Sequence, residues 1–247
     1  MSSFSIKDKI VLLSGASGHI GSATRDYLRD NNAIVIAVSR NIEHGDDNYN
    51  LDITNDSERR DFINLISKKY GQISSLINNA YSGNSGKIEY ITRKDFEDSL
   101  NIGLISPILF IKELLPHFSK NGASIVNIAS MYGMVSPDGS VYDEDGKNNN
   151  PIYYGAGKAG LIQATKYLAC HLASSNIRVN AISPGAFPRT IDDNSQNIFL
   201  NKLTEKTPMK KLGIPENLFG IIHLLISSHS SYITGTNIPV DGGWTAW

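Results

Sequence analysis

The sequence predicts an α/β fold: a doubly wound parallel sheet of Rossmann type, with about seven strands and helices on both faces. Short apolar runs alternate with helical patterns from one end of the 247-residue chain to the other, which is typical of βαβ units. The first apolar run leads into a glycine-rich loop. No repeat or low-complexity linker divides the chain, so we expect residues 1–247 to form a single domain.

Strands are predicted where short apolar runs would be buried on both faces of a parallel sheet. The runs cover residues 10–13, 34–38, 50–53, 76–77, 125–128, 179–182 and 238–240. Helical patterning covers residues 20–30, 56–70, 94–118, 154–174 and 215–227, with Gly71 as a stop signal and Pro107 as an irregularity. Two polar segments, residues 136–150 and 186–212, interrupt this order. Loops this long in a compact domain are usually functional or disordered.

Composition narrows the possible partners. The chain has 23 Lys and Arg against 24 Asp and Glu, which argues against binding to nucleic acid or an anionic membrane. The single cysteine, Cys170, excludes an internal disulfide and zinc sites built on cysteine pairs, and we expect no metal. Charges at Lys7, Asp8 and Lys9 occupy the place of a signal peptide's apolar stretch. No run approaches the roughly 18 apolar residues of a membrane span, so we expect a cytoplasmic protein.

The loop from Ser14 to Gly21 lies between the first strand and the first helix. Glycines let a backbone approach a pyrophosphate, and a helix N-terminus favours its negative charge. We expect the cofactor contacts of this loop to come from Gly15, Ser17, Gly18, His19, Ile20 and Gly21. The alternative is an ordinary tight turn.

Ser39 and Arg40 follow the second strand, where the choice of nucleotide is usually made. An acid there would bind the ribose hydroxyls of NAD, whereas a serine and a guanidinium suit a 2′-phosphate. The pair therefore predicts a preference for NADP(H), with NAD(H) also accepted. The alternative is a solvated surface arginine.

Tyr154 and Lys158 are four residues apart on a predicted helix and so share one face, whereas Tyr153 has Gly157 as its partner. A nearby ammonium would lower the pKa of the phenol and fit it for proton transfer. Ser130 follows a predicted strand, at the sheet edge where ligands bind. The alternatives are a surface Tyr/Lys pair and a turn serine.

Together these residues resemble the short-chain dehydrogenase/reductase family over nearly the whole chain. The resemblance includes the glycine loop, Ser130, Tyr154-x-x-x-Lys158 and the segments at residues 51–53, 78–80, 125–130, 180–185, 232–235 and 240–243. It implies hydride transfer with a nicotinamide cofactor and makes Tyr154 the acid/base. By the same resemblance Lys158 lowers the pKa of Tyr154 and holds the nicotinamide ribose, while Ser130 polarises the substrate oxygen. The implied cofactor contacts are Asp52 and Ile53 at the adenine, Asn79 and Ala80 at its ribose, and Phe187, next to Pro184 and Gly185, at the nicotinamide.

Four departures from the family pattern stand out. His19 replaces a loop glycine, a spacing more like the longer branch of the family that modifies sugar nucleotides. Tyr81 replaces the glycine that usually follows Asn-Asn-Ala, and Gly103 stands at the position of a fourth active-site residue, an asparagine. Asn101, two residues away on a helix, is a poor substitute. Finally, an insertion at residues 136–150 widens the spacing between Ser130 and Tyr154.

We expect an NADP(H)-dependent oxidoreductase that interconverts a secondary alcohol and a ketone. The polar insertion favours a hydroxylated, sugar-derived substrate, the alternative being a solvated flap; its polar residues include Asp138, Asp143, Glu144, Asp145, Asn148, Asn149 and Asn150. Four lysines of the second polar segment could contact a phosphate group, the alternative being that they are simply solvated: Lys202, Lys206, Lys210 and Lys211. Two other functions stay open: a 3-oxoacyl reductase of fatty-acid synthesis and a non-catalytic dinucleotide-binding sensor or scaffold.

A homo-oligomer, a tetramer or a dimer, is expected by the family resemblance. Two predicted helices also carry apolar residues on more than one face, which a single sheet cannot cover. The two stripes are Leu104, Ile108, Ile111 and Leu115, and Leu161, Thr165, Leu168 and Leu172.

Overall fold

The computed structural model describes residues 4–43, 45–142, 149–189 and 194–247. Its seven strands form one parallel sheet in the order β3-β2-β1-β4-β5-β6-β7. The strands are β1 (Ile10–Ser14), β2 (Ile34–Ser39), β3 (Asn48–Asn50), β4 (Ser75–Asn78), β5 (Ala123–Ile128), β6 (Ile177–Pro184) and β7 (Asn237–Val240). The predicted doubly wound fold is confirmed.

Helices cover both faces of the sheet. They are α1 (His19–Asp30), α2 (Asp56–Tyr70), α3 (Arg93–Leu100), α4 (Ser106–Leu114), α5 (Ile152–Leu172), α6 (Asn194–Lys206) and α7 (Phe219–Ile226). Leu12 of β1 packs into the cluster that includes α2, α4 and α5, while its neighbours Val11 and Leu13 pack with α1 and α7. This alternation explains why the strand is apolar without interruption.

The third strand lies earlier in the chain than predicted. It spans Asn48–Asn50, not residues 50–53. Leu51 and Ile53 are apolar because they are buried in the cluster that includes α2, not because they belong to a strand. Pairing ends here because the Asp52 carboxylate accepts the Thr54 N–H at 2.9 Å, which starts the turn into α2.

The apolar stretch around Pro107 is one helical run with a wide turn in it. A π-helical turn, Asn101–Ile105, separates α3 from α4. Pro107 lacks an N–H and its ring crowds the carbonyl of residue 103, which accounts for the predicted irregularity. Among the described residues, Arg93–His117 has the length and composition of a membrane span, contrary to our expectation. Its Phe110 and Leu114 lie in the core of this fold, as apolar core helices do.

Both polar segments are more ordered than their composition suggested. Val141 is buried in a cluster with Tyr132 and Trp244, whereas residues 143–148, with Asp143, Glu144, Asp145 and Asn148, lie outside the described residues. The 186–212 segment, expected as a loop, contains helix α6, and its residues 190–193 also lie outside the described residues.

Candidate active site

Loops at the carboxyl ends of the strands enclose two cavities that share one wall. The larger, the cofactor cleft, has a volume of about 370 Å³ and lies over β1, β2 and β4. The smaller, the catalytic cavity, has a volume of about 230 Å³ and contains Ser130 and Tyr154. Phe187 lines both cavities. Ligands of open α/β sheets bind at this edge.

The glycine loop makes the floor of the cofactor cleft. Gly15 has φ of +67°, and a Cβ there would lie 2.7 Å from the Cα of Ala80. A Cβ on Gly21 would lie 2.0 Å from the carbonyl oxygen of Gly15. Both positions therefore require glycine. Asn79 fixes the loop by donating from Nδ2 to the carbonyls of Ser14 and Gly15 at 3.3 and 3.1 Å.

The residues of this loop fit a dinucleotide pyrophosphate. Helix α1 starts at His19, and Gly18 before it offers no side-chain cap to its first N–H groups. Nε2 of His19 is buried and has no hydrogen-bond partner in the described structure. Free N–H groups at a helix start attract phosphate. Gly15, Ser17, Gly18, His19 and Ile20 line the cleft as predicted.

Three of the predicted cofactor contacts, Gly21, Pro184 and Gly185, do not line the cleft. Gly21 is buried against the Gly15 carbonyl, and Pro184 is a buried residue of β6. Gly21 and Pro184 are therefore part of the packing beneath the cleft and do not face it. Gly185 lies in the catalytic cavity instead.

The far end of the cleft combines predicted and unexpected side chains. Ser39, Arg40, Asp52, Ile53, Asn79 and Ala80 line it as predicted. The hydroxyls of Ser17 and Ser39 are 2.7 Å apart, and Arg40 is exposed, with no carboxylate partner within the described ranges. Arg189 also lines the cleft. Arg189 was not predicted as a cofactor contact, because no pattern in the sequence distinguishes it from the other polar residues of its long segment.

The structure brings the side chains of Ser130, Tyr154 and Lys158 close together. Ser130 directly follows β5, and its Oγ accepts the N–H of Tyr132 at 3.1 Å. Tyr154 and Lys158 lie one turn apart on α5. Tyr153 points elsewhere, and its hydroxyl donates to the Asn84 carbonyl at 2.8 Å. This is the arrangement that the helical spacing predicted.

The pKa values of this pair differ from the expectation. Burial raises the pKa of the Tyr154 phenol, and a hydrogen bond with Ser130 acts against the rise. Burial lowers the pKa of Lys158 to about 8. The Lys158 ammonium donates to the Ile128 carbonyl at 2.7 Å and faces the ring of Tyr154, 5.7 Å from its centroid. At neutral pH Tyr154 is therefore a neutral acid, not a phenolate.

The insertion and α6 close the catalytic cavity together. The hydroxyl of Tyr142 donates to that of Tyr132 at 2.5 Å, and the Tyr142 ring packs on Phe199 of α6. The Lys206 ammonium is 2.5 Å from the Asp138 carboxylate. A second pair joins Lys210 and Glu205 at 3.4 Å. Because Lys206 and Lys210 already face carboxylates, the phosphate-contact hypothesis is weakened for both.

Comparisons with known proteins agree with this geometry. A family model described as enoyl-(acyl carrier protein) reductase matches residues 23–245. The 3-oxoacyl-[acyl-carrier-protein] reductase of Thermotoga maritima is 30% identical, over 96% of this chain and 98% of that protein. A short-chain dehydrogenase from Leptospira borgpetersenii with bound NAD+ has a TM-score of 0.89 at 31% identity, covering 98% of this chain and 95% of the other.

This chain belongs to the short-chain dehydrogenase/reductase family. It is therefore an oxidoreductase that uses a nicotinamide dinucleotide, which decides against the non-catalytic alternative. Another relative, the post-translational flagellin modification protein A of Campylobacter coli, is 30% identical over 97% of this chain and 99% of that protein. The aldohexose dehydrogenase of Thermoplasma acidophilum has a TM-score of 0.86 at 28% identity, covering 98% of this chain and 96% of the other.

Tyr81 and Gly103, two departures from the family pattern, lie against each other in this chain. A Cβ on Gly103 would be 3.3 Å from the Tyr81 ring. Asn101 lines neither cavity, and its Oδ1 accepts the Ser106 hydroxyl at 3.0 Å. It therefore does not replace the missing asparagine. No cluster of three potential metal-binding side chains occurs within the described residues.

Proposed function

We propose that this family member transfers hydride between NADP(H) and a secondary alcohol or ketone of a polar, sugar-derived substrate. The observation that carries the proposal is a buried acceptor among the residues that line the catalytic cavity with Ser130 and Tyr154. Oδ1 of Asn150 is buried without a hydrogen-bond partner among the described residues, and Tyr132 and Tyr142, which carry hydroxyls, line the same cavity. A buried acceptor without a partner is costly, and a substrate hydroxyl would satisfy it.

Proton transfer falls to the chain's own residues. When bound, the nicotinamide supplies or accepts the hydride. In the reducing direction the neutral Tyr154 donates its phenolic proton to the carbonyl oxygen as that oxygen gains negative charge. The Ser130 hydroxyl donates a hydrogen bond to the same oxygen. The Lys158 ammonium, which still has donors besides the one held by Ile128, stabilises the phenolate that remains on Tyr154.

The preference for NADP(H) is supported by two cations in the cofactor cleft. Arg40 lies beside Ser17 and Ser39, and Arg189 lies on the same cleft. Among structural neighbours, the Leptospira enzyme holds NAD+, a Pseudomonas aeruginosa protein holds NADP and a 4-hydroxyisoleucine dehydrogenase holds NADH. The family thus accepts either cofactor, and the charge at this end of the cleft decides between them.

Fluorescence titration tests this preference. We expect NADPH to bind about 10–150-fold more tightly than NADH, the value of a charge-assisted hydrogen bond. Arg40→Ala should reduce the difference, whereas Arg60→Ala, an exposed arginine on α2 away from the cleft, should not. Equal or tighter binding of NADH to the wild-type protein would contradict the proposal.

The sugar-derived substrate is supported by the space available and by one structural neighbour. An open groove of about 700 Å³ shares Tyr132 and Asn150 with the catalytic cavity, and its mainly apolar lining includes the polar side chains of Ser136, Asn149 and Asn150. That neighbour, from Thermoplasma acidophilum, is named an aldohexose dehydrogenase. The groove gives room for a substrate larger than a simple ketone.

One specific observation favours a 3-oxoacyl reductase as a second candidate. The lining of the catalytic cavity also includes the apolar residues Met131, Phe187, Phe199 and Leu203, and several relatives carry that name. NADPH oxidation with keto-sugars, keto-sugar nucleotides, small ketones and an acetoacetyl thioester separates the candidates. The highest kcat/KM on the thioester would overturn the sugar proposal, and the highest on a keto-sugar would support it.

A further inference from the structure

Two of the positions at which this chain departs from its family, 81 and 103, contact each other beside Lys158. The Tyr81 ring packs against the α-carbon of Gly103, leaving 3.3 Å to a Cβ built there. That distance is tighter than ordinary van der Waals contact, so a larger side chain at residue 103 would displace the ring. The two departures are thus sterically dependent on each other.

Besides Gly103, two residues contact the Tyr81 side chain. Its hydroxyl is 3.0 Å from that of Ser99, a buried residue of α3. Its ring meets the Tyr154 ring edge to face, with centroids 4.8 Å apart. Burial raises the pKa of Tyr81 to about 12, so the residue stays neutral and is not itself an acid or base near pH 7.

Lys158 has few other groups to stabilise its charge. Its side chain is 4% exposed, and the structure gives it one hydrogen bond, to the Ile128 carbonyl. Its ammonium lies 5.2 Å from the centroid of the Tyr81 ring and 5.7 Å from that of Tyr154. An ammonium over a desolvated aromatic face is stabilised by the ring quadrupole. The Tyr81 ring therefore contributes to keeping this buried amine charged.

We infer that Tyr81 is a positioning residue of the active site, whose ring holds Lys158 and Tyr154 in place, and that residue 103 is glycine to make room for that ring. This inference rests on the acid/base role proposed for Tyr154 and Lys158. It places an aromatic side chain beside Lys158 in a chain that has Gly103 where the family resemblance has an asparagine. It also explains why both departures occur in one chain.

Substitutions at residue 81 separate the contribution of the aromatic ring to kcat from that of the hydroxyl. Tyr81→Phe keeps the ring, so we expect kcat within about threefold of wild type on whichever substrate of the panel is turned over. Tyr81→Leu keeps apolar volume and loses the aromatic face, so we expect kcat to fall about tenfold or more with KM changed less. Tyr90→Leu, at an exposed tyrosine, is the matched control. A Tyr81→Leu variant with wild-type kcat would overturn the inference.

A swap of the two positions tests the steric dependence. Gly103→Asn alone should lower kcat and the unfolding temperature, because the new side chain collides with the ring. Adding Tyr81→Gly should recover part of both losses, a non-additivity expected only of residues in contact. Gly220→Asn, on an open helical surface, is the control for a glycine-to-asparagine change. Additive losses in the double variant would refute the dependence.

A measurement without substrate keeps this inference separable from the proposed function. NMR titration of lysine labelled with ¹³C at Cε, with the Lys158 signal identified from Lys158→Arg, reports the ammonium directly. Among the described residues, the titratable groups that interact electrostatically with Tyr154 include Tyr81, Tyr132 and Tyr142, each with its pKa raised by burial. Tyr153, whose pKa is also raised by burial, interacts with Tyr81. We expect Tyr81→Leu to lower the pKa of Lys158 further and Tyr81→Phe to leave it unchanged. An unchanged pKa in the folded Tyr81→Leu protein would overturn the inference even if no substrate is found.

Discussion

We propose that proton transfer depends on the Tyr154 hydroxyl, whose pKa is raised by burial. Tyr154→Phe retains the ring and removes only the transferable proton. We expect kcat to fall roughly 10²–10⁴-fold, the usual value of general acid–base catalysis, with NADPH binding nearly unchanged in a fluorescence titration. Tyr232→Phe, at a fully exposed tyrosine, should have wild-type activity. A Tyr154→Phe variant that retains wild-type kcat would remove this residue from the mechanism.

Lys158 gives the site a pH dependence whose sign follows from burial. Its pKa is lowered to about 8, so the ammonium is charged below that pH and neutral above it. We expect kcat/KM for ketone reduction to decline as pH rises through about 8, because the developing phenolate on Tyr154 loses its neighbouring charge. In Lys158→Arg the guanidinium stays charged, and the decline should move to higher pH. A decline at the same pH in both proteins would assign it to another group.

At the residue scale, the sequence predicts the relative placement of side chains best where one element carries the whole signal. The spacing of Tyr154 and Lys158 on one helix, and the glycines between strand and helix, are local patterns, and the structure places them as expected. Contacts between distant segments left no such pattern. Nothing in the sequence shows that Tyr81 covers Gly103, that Arg189 reaches the cofactor cleft, or that Asn150 is buried without a partner.

At the scale of elements, the insertion and α6 act as one closing unit over the catalytic cavity. Composition predicted a flap with little apolar area, but Val141 is buried and Tyr142 packs between Tyr132 and Phe199. Two apolar residues thus anchor the described part of a segment that is polar on average. The misplaced third strand has the same origin, since an apolar residue such as Leu51 can be buried by a helix without belonging to the sheet.

Tyr142→Ala should weaken this unit without disturbing the cofactor. Loss of the aromatic contacts between insertion and α6 should raise KM for a keto-sugar several-fold, because the cavity wall would have to order on binding. Small ketones, which do not reach the insertion, should be affected much less, and the Kd for NADPH should not change. Tyr90→Ala, at an exposed tyrosine, is the control. Equal KM changes for large and small substrates would argue against a role in substrate selection.

At the scale of the whole molecule, helices cover both faces of the sheet. Some apolar side chains remain exposed to solvent. Part of the apolar stripe on α5 proves to be internal, since Leu161, Thr165 and Leu172 are buried within the chain. Exposed apolar side chains nearby include Ile105, Leu115 and Tyr167. These exposed residues form the apolar surface that still supports the prediction of self-association.

A homotetramer therefore remains a prediction, supported by the family resemblance and by this exposed surface. Sedimentation velocity at micromolar concentration should show a species larger than a monomer. Replacing Tyr167 with aspartate should shift it towards smaller species, because a charge buried at an apolar contact is costly. Replacing Tyr232, exposed on a different segment, with aspartate is the control. A wild-type monomer at that concentration would contradict the prediction.

The close contact between Tyr81 and Gly103 also bears on how this enzyme can be engineered. Stabilising a protein by substituting the most frequent residue of its family at each position treats positions as independent. Here the two most frequent residues, a glycine at position 81 and an asparagine at position 103, have to be introduced together, because either one alone leaves a gap or a collision. A library that varies both positions at once therefore contains functional sequences that no series of single substitutions reaches without first losing activity.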